Sequence, residues 1–170
     1  MFKLASALVE RLRPACERIE IAGSIRRKKA EIGDIELIAI PKTIPDLLGE
    51  PQPQTKVDIL LAGWPIMITK NGPKYKQFLF NGTTGQEYQV DLFLQPDPAT
   101  WGINYMIRTG PSEFSTRMVT SVDIGGLRPR DLLVRDGRVW RSGVALATPT
   151  EESVFALWGI SWIAPENRGE

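Results

Sequence analysis

Apolar positions in the first 40 residues follow two different patterns. Over residues 3–18 they recur every three or four positions, which is the spacing of an amphipathic helix. Over residues 34–40 they are nearly continuous, as in a strand that is buried on both faces, and residues 19–22 form a short strand between the two. The pattern predicts a helix, a strand and then a central strand that contains two acids, Asp34 and Glu36.

Three further strands are predicted in the middle of the chain. They cover residues 57–61, 75–80 and 88–94, which are apolar and rich in β-branched or aromatic side chains. The Asn and Gly residues at positions 81–85 predict a hairpin turn between the last two strands. We therefore expect a mixed sheet with helices on one side.

The pattern changes after Pro98, where we place a domain boundary. Helices are predicted over residues 100–106 and around residues 112–121. A hairpin over residues 132–139 follows, with Asp136 and Gly137 at its turn, and Thr150 is placed to cap a last helix. The fold class is α/β, more narrowly α+β, with residues 1–98 as one domain and residues 99–170 as a smaller α+β domain.

Composition limits the kind of protein this is. A chain of 170 residues with 42% hydrophobic residues is long enough to bury a core. It has no apolar run of membrane-spanning length, and its single cysteine, Cys16, cannot form an internal disulfide. We expect a monomer in the reducing cytoplasm that does not interact with membranes.

Charge and the absence of histidine limit the chemistry. With 21 Lys and Arg against 20 Asp and Glu, the chain has no overall positive field, so any contact with nucleic acid must be local. The absence of histidine excludes the Ser-His-Asp triad and most zinc sites. Chemistry in this chain must use carboxylates, hydroxyls and cations.

Three acids form a candidate metal site. Asp34 and Glu36 are two positions apart in a predicted strand, so both point to the same face. Asp91, in the strand predicted over residues 88–94, is the natural third ligand, because hard carboxylate oxygens suit Mg²⁺. The alternative that Asp34 and Glu36 lie on a solvated strand face remains open.

A candidate phosphate site precedes these acids. Gly23 and Ser24 follow a strand and open a predicted helix, whose free N–H groups favour an anion. Four cations come next, at positions 26–29, although such a run is also common on a solvated surface. Together with the acids these parts suit phosphoryl transfer.

This order of motifs resembles the nucleotidyltransferase superfamily, and more narrowly the family X DNA polymerases, the group of DNA polymerase beta. Four stretches carry the resemblance: Ala22-Gly23-Ser24-Ile25-Arg26-Arg27, Gly33-Asp34-Ile35-Glu36, Arg108-Thr109-Gly110-Pro111-Ser112-Glu113-Phe114-Ser115 with Trp101-Gly102 before it, and Trp162-Ile163-Ala164-Pro165-Glu166-Asn167-Arg168. The resemblance implies that the first domain is a nucleotidyltransferase palm and the second a thumb.

The resemblance also implies roles for individual residues. Asp34, Glu36 and Asp91 would hold two Mg²⁺ ions, with Mn²⁺ as a substitute, and Asp91 would also accept the proton of the primer hydroxyl. Arg117 would contact DNA, unless it forms a surface salt bridge. Residues expected at the nucleotide are Gly23, Ser24, Arg27, Gly33, Ile107, Arg108, Thr109, Gly110, Ser112 and Ser115. For Ser112 and Ser115, helix capping is the open alternative.

Local charge predicts further DNA contacts at Lys70, Lys74 and Lys76, which flank a Gly-Pro turn. For each of these lysines, an ordinary solvated surface position is the open alternative.

The chain also departs from the family. Glu36 stands where a second Asp is usual, and Ile107-Arg108 replaces an aromatic pair, which predicts a weaker barrier to ribonucleotides. We expect no lyase or finger module before the palm, as in reduced viral or phage members.

The expected reaction is Mg²⁺-dependent transfer of a deoxynucleotide from a dNTP to a DNA 3′ hydroxyl, with release of pyrophosphate, in gap-filling repair. One alternative is untemplated transfer to RNA, protein or another acceptor. A second alternative is a catalytically silent nucleic-acid-binding module. The three acids argue against the second alternative, because buried carboxylates without a metal are costly.

Overall fold

In the computed structural model, which describes residues 1–45, 48, 51–82 and 85–169, the chain divides into two compact units. The first comprises Met1–Ile25 and Ala30–Pro96, and the second comprises Arg26–Lys29 and Asp97–Glu170. Both contain helices and strands, which confirms the α+β class. Among the described helices, none combines the length and the apolar character needed to cross a membrane.

A five-stranded mixed sheet organises the first unit. The elements of this unit are α1 (Phe2–Leu12), β1 (Cys16–Ile21), α2 (Gly23–Arg26), β2 (Ile35–Pro41), β3 (Thr43–Pro45), β4 (Pro51–Thr55), α3 (Lys56–Ala62), β5 (Met67–Asn71), β6 (Tyr75–Asn81) and β7 (Glu87–Leu94). The strand order in the large sheet is β1-β2-β7-β6-β5. β2 and β7 are parallel, and the other neighbours are antiparallel. A separate two-stranded sheet pairs β3 with β4.

One face of the large sheet forms the core of the first unit. Leu37 in β2 and Leu92 in β7 are register partners and are fully buried. They belong to one hydrophobic cluster with Leu8 from α1 and Val57 from α3, so these helices pack on the same face. Because side chains alternate along a strand, the residues next to Leu37 in β2 and next to Leu92 in β7 face away from the core.

The predicted strand at residues 57–61 is wrong, because this segment is the helix α3. The residue before it, Thr55, forms a capping box with Asp58, and the Thr55 amide donates to Asp58 Oδ2 over 2.7 Å. Val57 and Leu61, four residues apart, are both buried on one side of this helix. A short apolar run of this kind is compatible with a buried strand or with a helix. Here the capping box favours the helix.

The other predictions in this unit differ from the structure only in their bounds. α1 ends at Leu12 and continues as a 3₁₀ turn over Arg13–Ala15 rather than reaching residue 18, because Pro14 cannot donate to a helical ladder. β6 and β7 form the predicted antiparallel hairpin. Two residues of its predicted tip, Thr83 and Thr84, lie outside the described residues.

The second unit packs three helices with a three-stranded antiparallel sheet, in the order β10-β9-β8. Met118, Val139 and Phe155 are fully buried in its core. At the predicted hairpin turn Asp136 and Gly137 both have positive φ, as a tight turn of the I′ type requires. The elements are α4 (Trp101–Thr109), α5 (Ser112–Val119), β8 (Leu132–Arg135), β9 (Arg138–Arg141), β10 (Val144–Leu146) and α6 (Glu151–Trp158).

Candidate functional site

Two of the three predicted metal ligands are direct neighbours across the sheet. Glu36 in β2 and Asp91 in β7 are register partners in the parallel pair, where strands lie about 4.8 Å apart. Both lie on the face opposite the core. Asp34 occupies a bend one residue before β2 begins, and it is half-buried like Glu36.

Neutral donors surround the carboxylate of Asp91, which is 9% exposed. Tyr75 Oη donates to Asp91 Oδ1 over 2.7 Å, and Gln77 Nε2 donates to the same oxygen over 2.9 Å. Gln89 Nε2 lies farther away, at 3.4 Å from Oδ1 and 3.3 Å from Oδ2. The carboxylate of Asp91 therefore accepts hydrogen bonds from neutral side chains of the first unit.

Tyr75 is held in its protonated, donating form. Burial and then its hydrogen bond to Asp91 raise the pKa of the Tyr75 phenol to about 12, and the charge of Asp34 acts in the same direction. The Tyr75 hydroxyl thus remains a donor to Asp91 across the physiological pH range.

Glu36 contacts the Gly-Ser turn directly. Gly23 has φ +58°, and a Cβ built on it would lie 2.6 Å from Glu36 Cδ and would overlap Oε2. The Ala22 amide donates to the main-chain oxygen of Glu36 over 2.8 Å. As predicted, a helix opens at Gly23, with Ser24 half-buried beside it. The phosphate motif and the acidic strand are therefore adjacent.

We expect Gly23→Ala to lower the free energy of unfolding by about 1–2 kcal/mol and to displace the Glu36 carboxylate. The loss comes from the positive φ, which disfavours any side chain, and from the overlap with Glu36. Gly33→Ala is the matched control, because a Cβ there meets nothing within 4 Å. Urea denaturation of both variants measures the difference, and equal stabilities would contradict the argument.

Glu36 and Asp91 have different neighbours in the conformation seen. Glu36 lies against Gly23, and Asp91 is held by Tyr75 and Gln77. Within the part of the chain that the structure describes, no group of three acidic or cysteine side chains is arranged to hold a metal ion. The backbone register brings Glu36 and Asp91 together, while their carboxylates are engaged separately.

In the second unit, two arginines hold the Thr109–Gly110 turn. Arg26 Nη1 donates to Thr109 Oγ1 over 2.5 Å, and Arg27 Nη1 donates to the Thr109 main-chain oxygen. Gly110 has φ +67°, and a Cβ there would lie 2.9 Å from Arg27 Nη1. Arg27, expected at the triphosphate, therefore makes a contact with the protein backbone, and Thr109 is fully buried.

The remaining residues expected at the nucleotide differ in exposure. Ser115 is buried, and its Oγ donates to the main-chain oxygen of Ile107 over 2.9 Å, which ties α5 to α4. Ser112 is exposed and is the first residue of α5, so the helix-capping alternative is wrong for it; Pro111 holds the cap position. Arg108 and Arg117 are exposed. Base, sugar and DNA contacts for these residues stay predictions.

The three lysines expected at DNA have different environments. Lys70 and Lys74 are exposed, as a DNA contact requires. Lys76 is only 2% exposed, and its Nζ bonds Asp58 Oδ1 over 2.5 Å and Asn71 Oδ1 over 2.6 Å. Because its ammonium is already paired inside the first unit, we do not retain Lys76 as a DNA contact.

Sequence reasoning missed a buried ionic cluster in the second unit. Glu151, 3% exposed, accepts two bonds of 2.8 Å from Arg26, one of 2.7 Å from Arg168 and one of 3.0 Å from Trp162 Nε1. Burial alone would raise the pKa of Glu151, but the bonds from Arg168 and Arg26 outweigh it and lower the pKa to about 2. The sequence predicted the cap at Thr150, which the structure confirms, but not this cluster.

Comparison with known proteins adds no assignment. No protein-family model matches the chain, and a search of curated proteins found no match.

Proposed function

We propose that this chain is a metal-dependent nucleotidyltransferase that adds a deoxynucleotide to a DNA 3′ end under the direction of a template. The supporting observation is the parallel register of β2 and β7, which makes Glu36 and Asp91 neighbours on the sheet face opposite the core. Asp34, immediately before β2, is the third acid in the same region. Phosphoryl transfer by two cations needs such a set of carboxylates.

The donor set fits divalent cations chemically. Asp34, Glu36 and Asp91 offer only carboxylate oxygens, the hard ligands that Mg²⁺ prefers and Mn²⁺ also accepts. Acids at neighbouring positions on adjacent strands repel one another, and a divalent charge relieves that repulsion. When bound there, the cations would activate the 3′ hydroxyl and neutralise charge on the leaving pyrophosphate.

The chain's own residues have separate tasks in this proposal. Asp91 accepts the proton of the attacking 3′ hydroxyl. Tyr75 and Gln77 donate to Asp91 Oδ1 and hold the carboxylate in place. Gly23, which has no side chain, lets the Glu36 carboxylate lie against the Gly23-Ser24 turn, where the amides and the Ser24 hydroxyl would contact the triphosphate.

One observation favours a second candidate, a nucleic-acid-binding module without catalysis. Burying carboxylates that lack a metal costs folding free energy, which speaks against a module without catalysis. Tyr75 and Gln77 remove much of that cost at Asp91, because they donate to it within the protein. Retention of these acids therefore does not by itself require a cation.

Extension of a labelled primer tests the proposal. Gapped and single-stranded DNA are each supplied with one dNTP or rNTP at a time, with Mg²⁺, Mn²⁺ or a chelator. We expect addition of the template-matched deoxynucleotide on gapped DNA, and no addition with the chelator. Addition that ignores the template would support the untemplated alternative instead. No addition under any condition would overturn the proposal, and DNA binding retained in a gel-shift assay would then support the silent module.

A further inference from the structure

Asp91 belongs to a closed ring of hydrogen bonds with two side chains of β6. Gln77 Nε2 donates to Tyr75 Oη over 3.0 Å and to Asp91 Oδ1 over 2.9 Å. Tyr75 Oη donates its own proton to the same Asp91 oxygen over 2.7 Å. Oδ1 therefore accepts two short bonds from neutral groups.

Neighbouring residues fix the orientation of both donors. The Thr69 hydroxyl, in β5, lies 3.0 Å from Gln77 Oε1 and 3.2 Å from the Gln77 main-chain oxygen. The reverse amide orientation would set Gln77 Oε1 against the Asp91 carboxylate, so the network requires the orientation seen. The Tyr75 ring stacks on Phe93, with ring centroids 5.1 Å apart.

The two oxygens of Asp91 are therefore not equivalent. Oδ1 carries both short bonds. Among the residues that the structure describes, Oδ2 has only the long contact of 3.3 Å from Gln89 Nε2, which that group shares with Oδ1 at 3.4 Å. Contacts of this length and shared geometry are weak. Oδ2 retains more capacity to accept a proton or to bind a cation.

We propose that Tyr75 and Gln77 are positioning residues, which occupy Asp91 Oδ1 and so present Oδ2 to the cation or to the attacking hydroxyl. This inference rests on the proposed function. Groups that orient a ligating carboxylate in this way typically change metal affinity or activity by about 10–100-fold when they are removed. Tyr75 and Gln77 lie outside the motifs that carry the resemblance, and only the geometry identifies them.

The experiment compares Tyr75→Phe with Tyr88→Phe. The first change keeps the ring that stacks on Phe93 and removes the hydroxyl, which donates to Asp91 and accepts from Gln77. The second removes the same atom from an exposed pair, in which Tyr88 Oη donates to Gln86 Oε1 over 2.8 Å. We expect Tyr75→Phe to weaken Mn²⁺ binding and to lower kcat, each about tenfold, with KM for the nucleotide unchanged. Tyr88→Phe should behave as the wild type does.

Thr69→Val gives a second variant, at an exposed edge position where folding is little affected. It removes the hydroxyl that orients Gln77, so we expect a smaller fall, about threefold, in Mn²⁺ affinity and in kcat. Mn²⁺ binding is measured by calorimetry, independently of turnover.

The possible outcomes distinguish a failure of this inference from a failure of the proposed function. Wild-type kcat and Mn²⁺ affinity in both Tyr75→Phe and Thr69→Val would overturn the inference and leave the proposed function standing. A wild-type protein that transfers no nucleotide, but whose Mn²⁺ affinity falls in Tyr75→Phe and not in Tyr88→Phe, would support the inference and overturn the proposed function. A wild-type protein that neither binds Mn²⁺ nor transfers nucleotides would overturn both.

Discussion

Asp91→Asn is expected to lower the rate of nucleotide transfer by about a thousandfold, which corresponds to roughly 4 kcal/mol of transition-state stabilisation. The replacement amide oxygen still accepts from Tyr75 and Gln77, so the ring around Oδ1 and the fold are retained. What is lost is the negative charge and the proton acceptor. Single-turnover primer extension with saturating protein measures the chemical step separately from binding.

The control for this prediction is Asp136→Asn, which makes the same chemical change at an exposed turn in the second unit. Asp136 has φ +54°, a conformation that Asn tolerates well. This variant should transfer nucleotides at the wild-type rate. Equal activity in the two variants would show that Asp91 does not carry the chemistry.

Glu151→Gln is expected to lower the free energy of unfolding by about 3 kcal/mol. The change leaves the guanidinium of Arg168, which is 2% exposed, and that of Arg26 without their compensating charge. Glu152→Gln is the matched control, because Glu152 is the next residue of α6 and is exposed. Chemical denaturation should show a change within about 0.5 kcal/mol for this control. A small effect in both variants would mean that the buried cluster adds little stability.

The pH dependence of stability reports on the same cluster. Folding lowers the pKa of Glu151 from its ordinary value of 4.5 to about 2, so its contribution to stability is complete above the higher value. That contribution, about 3 kcal/mol, is lost as the pH falls from about 4.5 through 2. Denaturation curves across this range should show the loss in the wild type and not in Glu151→Gln. A parallel loss in the variant would assign the acid sensitivity to other carboxyl groups.

Sequence patterns predicted the elements in which a helical period or an apolar run extends over a long stretch. α1, β2, β6, β7 and the turn at Asp136-Gly137 were found in this way. α3 was missed because its apolar run is short enough to fit a strand. The capping signal was nevertheless present in the sequence, since Thr55 and Asp58 have the spacing of a capping box.

The candidate site was less predictable, because it depends on contacts between distant positions. Spacing within one strand placed Asp34 near Glu36, but only the pairing of β2 with β7 sets Glu36 opposite Asp91. No local pattern joins Arg26 to Glu151, which lies 125 positions later. The burial of Lys76, by contrast, was predictable from the sequence. Lys76 lies two residues before Phe78 in the same strand, so both side chains point to the same face, and Phe78 is fully buried in the core.

The position of β5 at the edge of the large sheet affects how long the site keeps its geometry. Among the strands that the structure describes, β5 pairs only with β6, and its five residues are exposed. Edge segments with few buried contacts open locally before a domain unfolds as a whole. Thr69, which orients Gln77, lies on this strand. On heating, fraying of β5 would therefore release Gln77 from Thr69 and loosen the alignment of Asp91 while the hydrophobic core is still intact.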